Sequence, residues 1–309
     1  MVVLVTGGTG NIGAQLIAEL TRQGEKCVAY DLFPSPEAIA GLTENVKIVK
    51  GDILNLAELI RTIRGEQVNT IVHTVALYGQ ETLSRPTATL KVNIEGTVNV
   101  LEAARIENVR RVVYASTVGV YGATSETDPI DEEHPKNPTE FYPVTKLAGE
   151  LYGHAYGSAY GVGFVALRFA TVYGPGRAFK GVPWYIAEMV EKPAMNLPAH
   201  LPRGRERRYE FMYVKDAAHA LSLACHVEKL THKAFNIGVG KLFSLQDIAD
   251  IVRRFIPNAV IEIGAGELPL PRRGPLDISR ARSELKYEPQ YNMIDGIKDY
   301  IEWLRTKRR

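Results

Sequence analysis

A chain of 309 residues, 45% of them hydrophobic and 23% charged, can bury a sizeable core as one large α/β domain or as two domains. Its net charge of +2 gives no electrostatic reason to expect nucleic acid or a membrane surface as a partner, and no apolar run approaches the length that spans a bilayer. Cys27 and Cys225 supply neither a disulfide framework nor metal-ligand spacing, and no signal peptide precedes the first strand, so a soluble, cytoplasmic protein without a metal is expected.

Val2-Val-Leu-Val5 opens the chain as a short β-branched run of the kind that forms a strand buried on both faces. Ile12, Leu16, Ile17 and Leu20 then recur on one side of a 3.6-residue period, so a helix starts near Asn11. Between the two lies Thr6-Gly-Gly-Thr-Gly-Asn-Ile-Gly13. Glycines at 7, 10 and 13 allow an unusual φ, close approach of backbone to an anion, and tight helix–strand packing. The free N–H groups and positive dipole end of the helix suit a pyrophosphate. Val28-Ala-Tyr-Asp31 is a second strand, ending in an acid 18 residues past Gly13. A carboxylate so placed accepts from both ribose hydroxyls of NAD and repels the 2′-phosphate of NADP. The stretch is a candidate dinucleotide site; an ordinary tight turn is the plainer alternative, which the acid at 31 disfavours.

Strands and helices continue to alternate. Val46-Lys-Ile-Val49 reads as a third strand, closed by Gly51-Asp-Ile53, and Leu56, Leu59, Ile60 and Ile63 follow at helical spacing. Thr70-Ile-Val-His73 is a fourth strand, and residues 86–108 form a long helix carrying Leu90, Ile94, Val98, Leu101 and Ala104. Arg111-Val-Val-Tyr-Ala115 is a fifth strand, the polar, Pro-rich stretch 124–138 an exposed loop, residues 140–160 a helix and 162–169 a sixth strand. This βαβ alternation calls for a doubly wound parallel sheet with helices on both faces. After Tyr173-Gly-Pro-Gly176 the alternation loosens and Pro and Arg become frequent, with helices near 217–225, 245–255 and 294–304 and strands at 234–238 and 260–263. The expected organisation is an α/β Rossmann domain over 1–172 and a smaller α/β cap over 173–309, mainly for substrate, with some segments returning to the first domain.

Tyr142-Pro-Val-Thr-Lys146 puts a phenol and an ammonium four residues apart, on one helix face. A nearby ammonium and a cationic nicotinamide both favour phenolate, which turns a poor base into a usable one. Ser116 and Thr117 follow the fifth strand at the carboxyl edge, where doubly wound sheets bind ligands. A hydroxyl there suits a bond to the substrate's reacting oxygen. The plainer alternatives are a surface Tyr–Lys pair and hydroxyls that bond the local turn.

In chain order, Thr6–Gly13, Gly51-Asp-Ile53, Asn93-Ile-Glu-Gly-Thr97, Ser116–Gly122, Tyr142-xxx-Lys146, Leu167-Arg-Phe-Ala-Thr-Val-Tyr-Gly-Pro175 and Tyr213-Val-Lys-Asp216 together resemble the extended short-chain dehydrogenase/reductase family. Within it they look like the NAD-dependent epimerase/dehydratase branch and its UDP-sugar 4-epimerases, over essentially the whole chain. The resemblance implies that Gly7, Gly10, Asn11, Ile12 and Gly13 hold the pyrophosphate and Asp31 the adenosine ribose. It implies that Asp52 and Ile53 flank the adenine, that Thr74, Val75 and Ala76 pass beneath the cofactor, and that Asn93 lies beside it. Thr117, Tyr142 and Lys146 match the catalytic triad, with Tyr142 and Lys146 also touching NAD. Thr171, Arg208 and Arg273 match substrate positions, and the long helices of relatives pair into a homodimer. A plainer reading makes Asp52 a helix N-cap and Asn93 a polar helix residue.

Three departures bear on the substrate. Thr171 stands where many relatives have Asn, as in some uronate epimerases that this chain resembles; Arg208 precedes Tyr209-Glu-Phe with one residue more than the common Arg-Asp-Phe; and Arg272-Arg-Gly-Pro-Leu-Asp277 is shorter than the usual Arg-x-Gly-Asp segment. A solvated surface segment is the alternative for this Arg-rich loop. Val118-Gly119 after Thr117 lacks the acidic pair of 4,6-dehydratases, which disfavours elimination. Transient oxidation of a sugar nucleotide to a keto intermediate, followed by reduction on the other face, is the simplest remaining chemistry. A simple NAD-dependent dehydrogenase of a sugar, sugar acid or small alcohol shares all these residues, and a non-catalytic NAD-binding regulatory protein is the alternative of another class.

Overall fold

The computed structural model describes residues 1–42, 45–176, 182–266, 268 and 271–307. The first half follows the apolar runs closely: β1 (Val2–Thr6), α1 (Asn11–Arg22), β2 (Lys26–Asp31), β3 (Val46–Lys50), α2 (Leu56–Gly65) and β4 (Thr70–His73). Short helices α3 (Gln80–Ser84) and α4 (Pro86–Leu90) come next, then a π-helical turn over Lys91–Glu95 and α5 (Gly96–Ile106). β5 (Arg111–Thr117), α6 (Phe141–Tyr160) and β6 (Phe164–Phe169) complete it. The single helix expected over 86–108 is therefore present from Pro86 to Ile106, with one π turn inside it. Its wide turn carries Asn93, whose side chain is bound to groups outside the helix.

The second half holds β7 (Thr171–Tyr173), α7 (Val182–Ala194), β8 (Ala199–Leu201), β9 (Arg208–Tyr213), α8 (Val214–His226), β10 (Ala234–Ile237), β11 (Leu242–Ser244), α9 (Leu245–Phe255), β12 (Ile261–Ile263) and α10 (Met293–Thr306). β7, β8, β9, β11 and α7 were not among the elements expected from the sequence. Most of these strands span three residues, too short for a two-residue alternation to stand out.

Among the described residues the main sheet has seven strands in the order β10-β6-β5-β4-β1-β2-β3, all parallel. From β1 the chain winds outward through β2 and β3, then returns to lay β4, β5 and β6 on the other side. β1 and β4 lie side by side, with Thr6 opposite His73. The crevice beyond their carboxyl ends is the switch point at which such sheets bind ligands. Two small sheets, β11-β9-β7 and β12-β8, form the second half's own layer, while β10 joins the main sheet beside β6 and α8 packs on α1.

The stretch 124–138 is for most of its length the exposed loop that its composition suggests, with two exceptions. Ile130 and Glu132 are buried, because the segment 272–277 comes back across the molecule: Ile130 N donates to Pro275 O at 2.8 Å and Asp277 N to Ile130 O at 2.9 Å. Among the described residues no helix is long and apolar enough to cross a membrane.

Candidate active site

The glycine-rich turn is closed by its own backbone. Gly7 takes a φ of +70°, its N–H donates to Tyr30 O at 2.8 Å, and Gly10 N–H donates to Gly7 O at 3.0 Å. A Cβ on Gly13 would lie 2.2 Å from Gly7 O, so only glycine lets α1 start this close to β1. Gly10 is the N-cap of α1; no side chain caps the helix and no acid occupies its first turn. The first N–H groups are thus left for an anion, which fits the pyrophosphate of a dinucleotide. Asp31 ends β2 beside the turn. Thr9 Oγ1 donates to its Oδ2 at 2.7 Å and Phe33 N–H to its Oδ1 at 3.3 Å, which orients the carboxylate. Asn11 reaches the second half of the chain, donating to Pro175 O.

Gly51-Asp52-Ile53 sits next to Asp31, since Gly51 N–H donates to Asp31 O at 2.9 Å. Asp52 is not the cap of α2: Asn55 takes the Glu58 N–H, while Asp52 accepts from Leu54 N at 2.9 Å. Ile53 is buried against Gly96. After β4, Thr74 donates to Thr6 O at 2.7 Å, and Thr74 and Val75 crowd the space above Gly7. Asn93 is committed to protein partners. Its Oδ1 accepts from Leu77 N at 2.7 Å, and its Nδ2 meets Leu77 O and Thr145 Oγ1, both at 2.9 Å. Thr145 in turn donates to Tyr142 O at 2.7 Å, so one amide ties the loop after β4 to the helix that carries Tyr142 and Lys146.

Thr117 is the last residue of β5. Its Oγ1 accepts from Gly119 N at 3.2 Å, the local turn bond expected of a strand-end hydroxyl, and its O–H remains to donate elsewhere. Ser116 instead bonds Glu150, below the site. Gly119 packs against Pro143: a Cβ there would lie 2.9 Å from Pro143 Cγ. That contact sets Thr117 near the start of α6, where Tyr142 and Lys146 share a face. Lys146 is buried, with Nζ 4.4 Å from the centroid of Tyr114 and 6.0 Å from that of Tyr142. Burial pushes its ammonium down to about 7, against the opposing pull of Glu150.

That shift has a measurable sign. Below about pH 7 the folded protein holds a charged, buried ammonium, and its cost is fully present. From there to about 10.4, the ordinary lysine range, only the unfolded chain keeps the proton, so stability rises with pH. Lys146→Met abolishes this rise. Thermal melts should therefore show the gap between variant and parent shrinking from pH 6 to pH 9; a pH-independent gap would sink the assignment.

Beneath the site lies a buried network that the sequence reading missed. Arg168 Nη2 meets Glu150 Oε2 at 2.7 Å, its Nε meets Oε1 at 3.1 Å, and its Nη1 donates to Tyr121 OH at 2.9 Å. Tyr121 passes the chain to Asn236 Oδ1 at 2.6 Å, and Asn236 N–H donates to Glu132 Oε1 at 2.8 Å. Two signals were available: Glu150 lies four residues past Lys146, and Arg168 interrupts an apolar strand.

At the positions expected to meet substrate the structure separates neighbours. Thr171 begins β7, paired with Phe211 of β9. Arg208 opens β9 with its side chain 60% exposed, 3.8 Å from Asp247, whereas Arg207 is 2% exposed, with its guanidinium 5.4 Å from the Tyr209 ring. Burial pushes the Tyr209 phenol up, opposed by Arg207 and Arg273. Arg273 is largely buried and donates to Gly122 O at 2.7 Å, with Glu140 at 3.7 Å; desolvation pulls its guanidinium below its usual range. Arg273 thus joins the end of the Thr117 turn to the start of α6, and the buried arginine that shares its surroundings is Arg207, not Arg208.

Residues 3–238 match the NAD-dependent epimerase/dehydratase family. The UDP-glucose 4-epimerase of Mycolicibacterium smegmatis is 29% identical over 99% of both chains. Among solved structures, Thermus thermophilus UDP-glucose 4-epimerase in complex with NAD superposes with a TM-score of 0.89 at 26% identity, covering 99% of each chain. The UDP-glucuronic acid 4-epimerase of Bacillus cereus, in complex with UDP-glucuronic acid and NAD, gives 0.88 at 25% identity, covering 99% of this chain and all of the other.

Proposed function

We propose, from the premise that this chain belongs to the NAD-dependent epimerase/dehydratase family, that it is a sugar-nucleotide 4-epimerase of the UDP-hexose or UDP-uronate type. One observation carries the reading: Tyr142 and the buried Lys146 share a face of α6 beside Thr117, in a chain similar over its full length to UDP-sugar 4-epimerases. Gly119 adds to it, since the contact with Pro143 leaves no space for the acidic side chain that elimination needs at that position.

In this reading Gly7, Gly10, Asn11, Ile12 and Gly13 hold the pyrophosphate at the uncapped start of α1, and Asp31 takes the adenosine ribose. NAD, when bound, supplies the hydride acceptor and, on the return, the hydride donor. The protein supplies orientation and proton transfer. Tyr142 removes the proton from the substrate hydroxyl and gives it back, and Thr117 donates a hydrogen bond to the same oxygen. A phenolate on Tyr142 favours the ammonium form of Lys146 that burial disfavours, so each ion stabilises the other. Asn93 acts by positioning, through Leu77 and Thr145. We assign residues 1–172 to the cofactor and most of 173–309 to the substrate, with α8 and β10 returning to the first unit. Arg207 and Arg273, with Thr171, are among the substrate contacts; Arg208 lies 3.8 Å from Asp247.

The test is incubation with UDP-glucose, UDP-galactose and UDP-glucuronate, following product stereochemistry and NADH absorbance together. Interconversion of C4 epimers without bulk NADH is expected, because the cofactor is regenerated in each turnover. Stoichiometric NADH from a free sugar or sugar acid, with no conversion of any nucleotide sugar, would transfer the assignment to a dehydrogenase.

We further assign a cytoplasmic homodimer. Along α6, Phe141, Val144, Leu151, Tyr152 and Tyr160 are exposed, and Leu90 of α4 is exposed as well. Spaced near three, seven and eleven residues, most of these side chains form a stripe that a second copy of the same helices would cover. Sedimentation at micromolar concentration should give twice the chain mass, and a monomeric mass would exclude the pairing.

A further inference from the structure

The segment that follows the Thr117 turn is fixed to the returning segment 272–277. Thr124 N–H donates to Arg272 O at 2.8 Å and Gly274 N–H to Thr124 Oγ1 at 3.1 Å. A Cβ on Gly274 would lie 2.2 Å from Asp128 O, so the two backbones are in direct contact. From this base Glu126 extends a carboxylate whose two oxygens are divided between two arginines. Oε1 meets Arg207 Nη1 and Oε2 meets Arg272 Nη1, each at 2.9 Å. The Arg207 side chain is 2% exposed and that of Glu126 is 35% exposed.

An anion bridging two guanidinium groups through separate oxygens is the arrangement a phosphate adopts between arginines. A buried guanidinium without an anion is costly, so an unliganded site gains by carrying its own counter-ion. Glu126 is suited to leave, because its backbone is held by neighbours while its side chain reaches water.

Resting on the nucleotide-sugar reading above, we propose that Glu126 is a tethered stand-in for a substrate phosphate. The diphosphate of the incoming nucleotide sugar displaces its carboxylate from Arg207 and Arg272, one anion exchanging for another, and the carboxylate turns out to solvent. Substrate affinity is then set by this competition as well as by the hydrogen bonds that the diphosphate itself forms. Glu126 also keeps Arg207 paired and aimed between turnovers.

The experiment is calorimetric titration of the NAD-saturated protein with UDP, inorganic pyrophosphate and uridine, in the parent and in Glu126→Gln and Glu126→Ala. NAD saturation keeps pyrophosphate from the glycine-rich turn. Both variants should bind UDP and pyrophosphate roughly 5–20-fold more tightly, the scale of one partly screened charge-assisted contact, and uridine unchanged. Arg207→Gln should weaken UDP, and adding Glu126→Gln to it should then bring a smaller gain than in the parent, the part that frees Arg272. Unchanged or weaker UDP and pyrophosphate binding in both Glu126 variants would overturn the proposal, since a scaffolding role predicts weakening. The two readings fail separately. Turnover of UDP-sugars without tighter binding in the Glu126 variants rejects the competition alone, and tighter pyrophosphate binding without any UDP-sugar turnover rejects the epimerase alone.

Discussion

Tyr142→Phe should leave NAD bound and lower turnover roughly 10²–10⁴-fold, the usual scale for a positioned acid–base group. The substitution removes one oxygen and keeps the ring, so packing against Tyr78, at 6.1 Å between centroids, is preserved. Lys146 loses its partner phenolate but keeps its place over Tyr114. On the proposed assignment most cofactor contacts lie at the glycine-rich turn and Asp31, so binding should change little. The measurement is single-turnover conversion of a nucleotide sugar with NAD retention followed in parallel. Near-normal turnover would remove the basis for the mechanism, and loss of NAD would show that Tyr142 acts in binding first.

Arg168→Met should cost about 3–5 kcal/mol of stability, because it removes the guanidinium that pairs with the buried Glu150 carboxyl group. Both side chains of the pair are buried, at 4% and 1% exposure. Burial alone would pull the Arg168 guanidinium down, yet the hydrogen bonds and charge of Glu150 hold it above its usual range. Tyr121 would lose the N–H it accepts from Arg168, while its own bond to Asn236 stays. The double variant Arg168→Met/Glu150→Met should recover much of the loss, since the cost lies in a stranded carboxyl group more than in a lost attraction. Urea denaturation of the two variants and the parent measures this. A loss below about 1 kcal/mol in the single variant would mean that water reaches Glu150 and that the network is not sealed. Because Glu150 lies on the helix face of Tyr142 and Lys146, turnover should fall along with stability.

Much of this molecule is legible without coordinates where a local rule acts. Steric rules place Gly7, Gly10 and Gly13 in a strand-to-helix turn. Period 3.6 sets α1, α2, α6, α9 and α10, and the apolar runs mark β1, β2, β4, β5 and β6. Tyr142 and Lys146 lie on one face because helical geometry puts them there, and Asp31 reaches the turn because β2 is parallel to β1. Each of these depends on contacts among residues close in the chain or on one pairing that the βαβ unit dictates.

Tertiary structure alone decided the rest. No local pattern tells that Asn93 is held by Leu77 and Thr145, or that 272–277 returns to bury Ile130 and Glu132. At the arginines, local reading settled on Arg208, and the fold turned it toward Asp247 while burying Arg207 against Tyr209. The physical reason is burial. Adjacent arginines have the same chemistry and the same propensity, and they differ only in which one the packing of β9 removes from water. The partner that makes a buried charge tolerable comes from far along the chain: Glu126 for Arg207, and Glu150 for Arg168. Those pairings exist only once the sheet, the cap strands and the C-terminal segment have closed on one another.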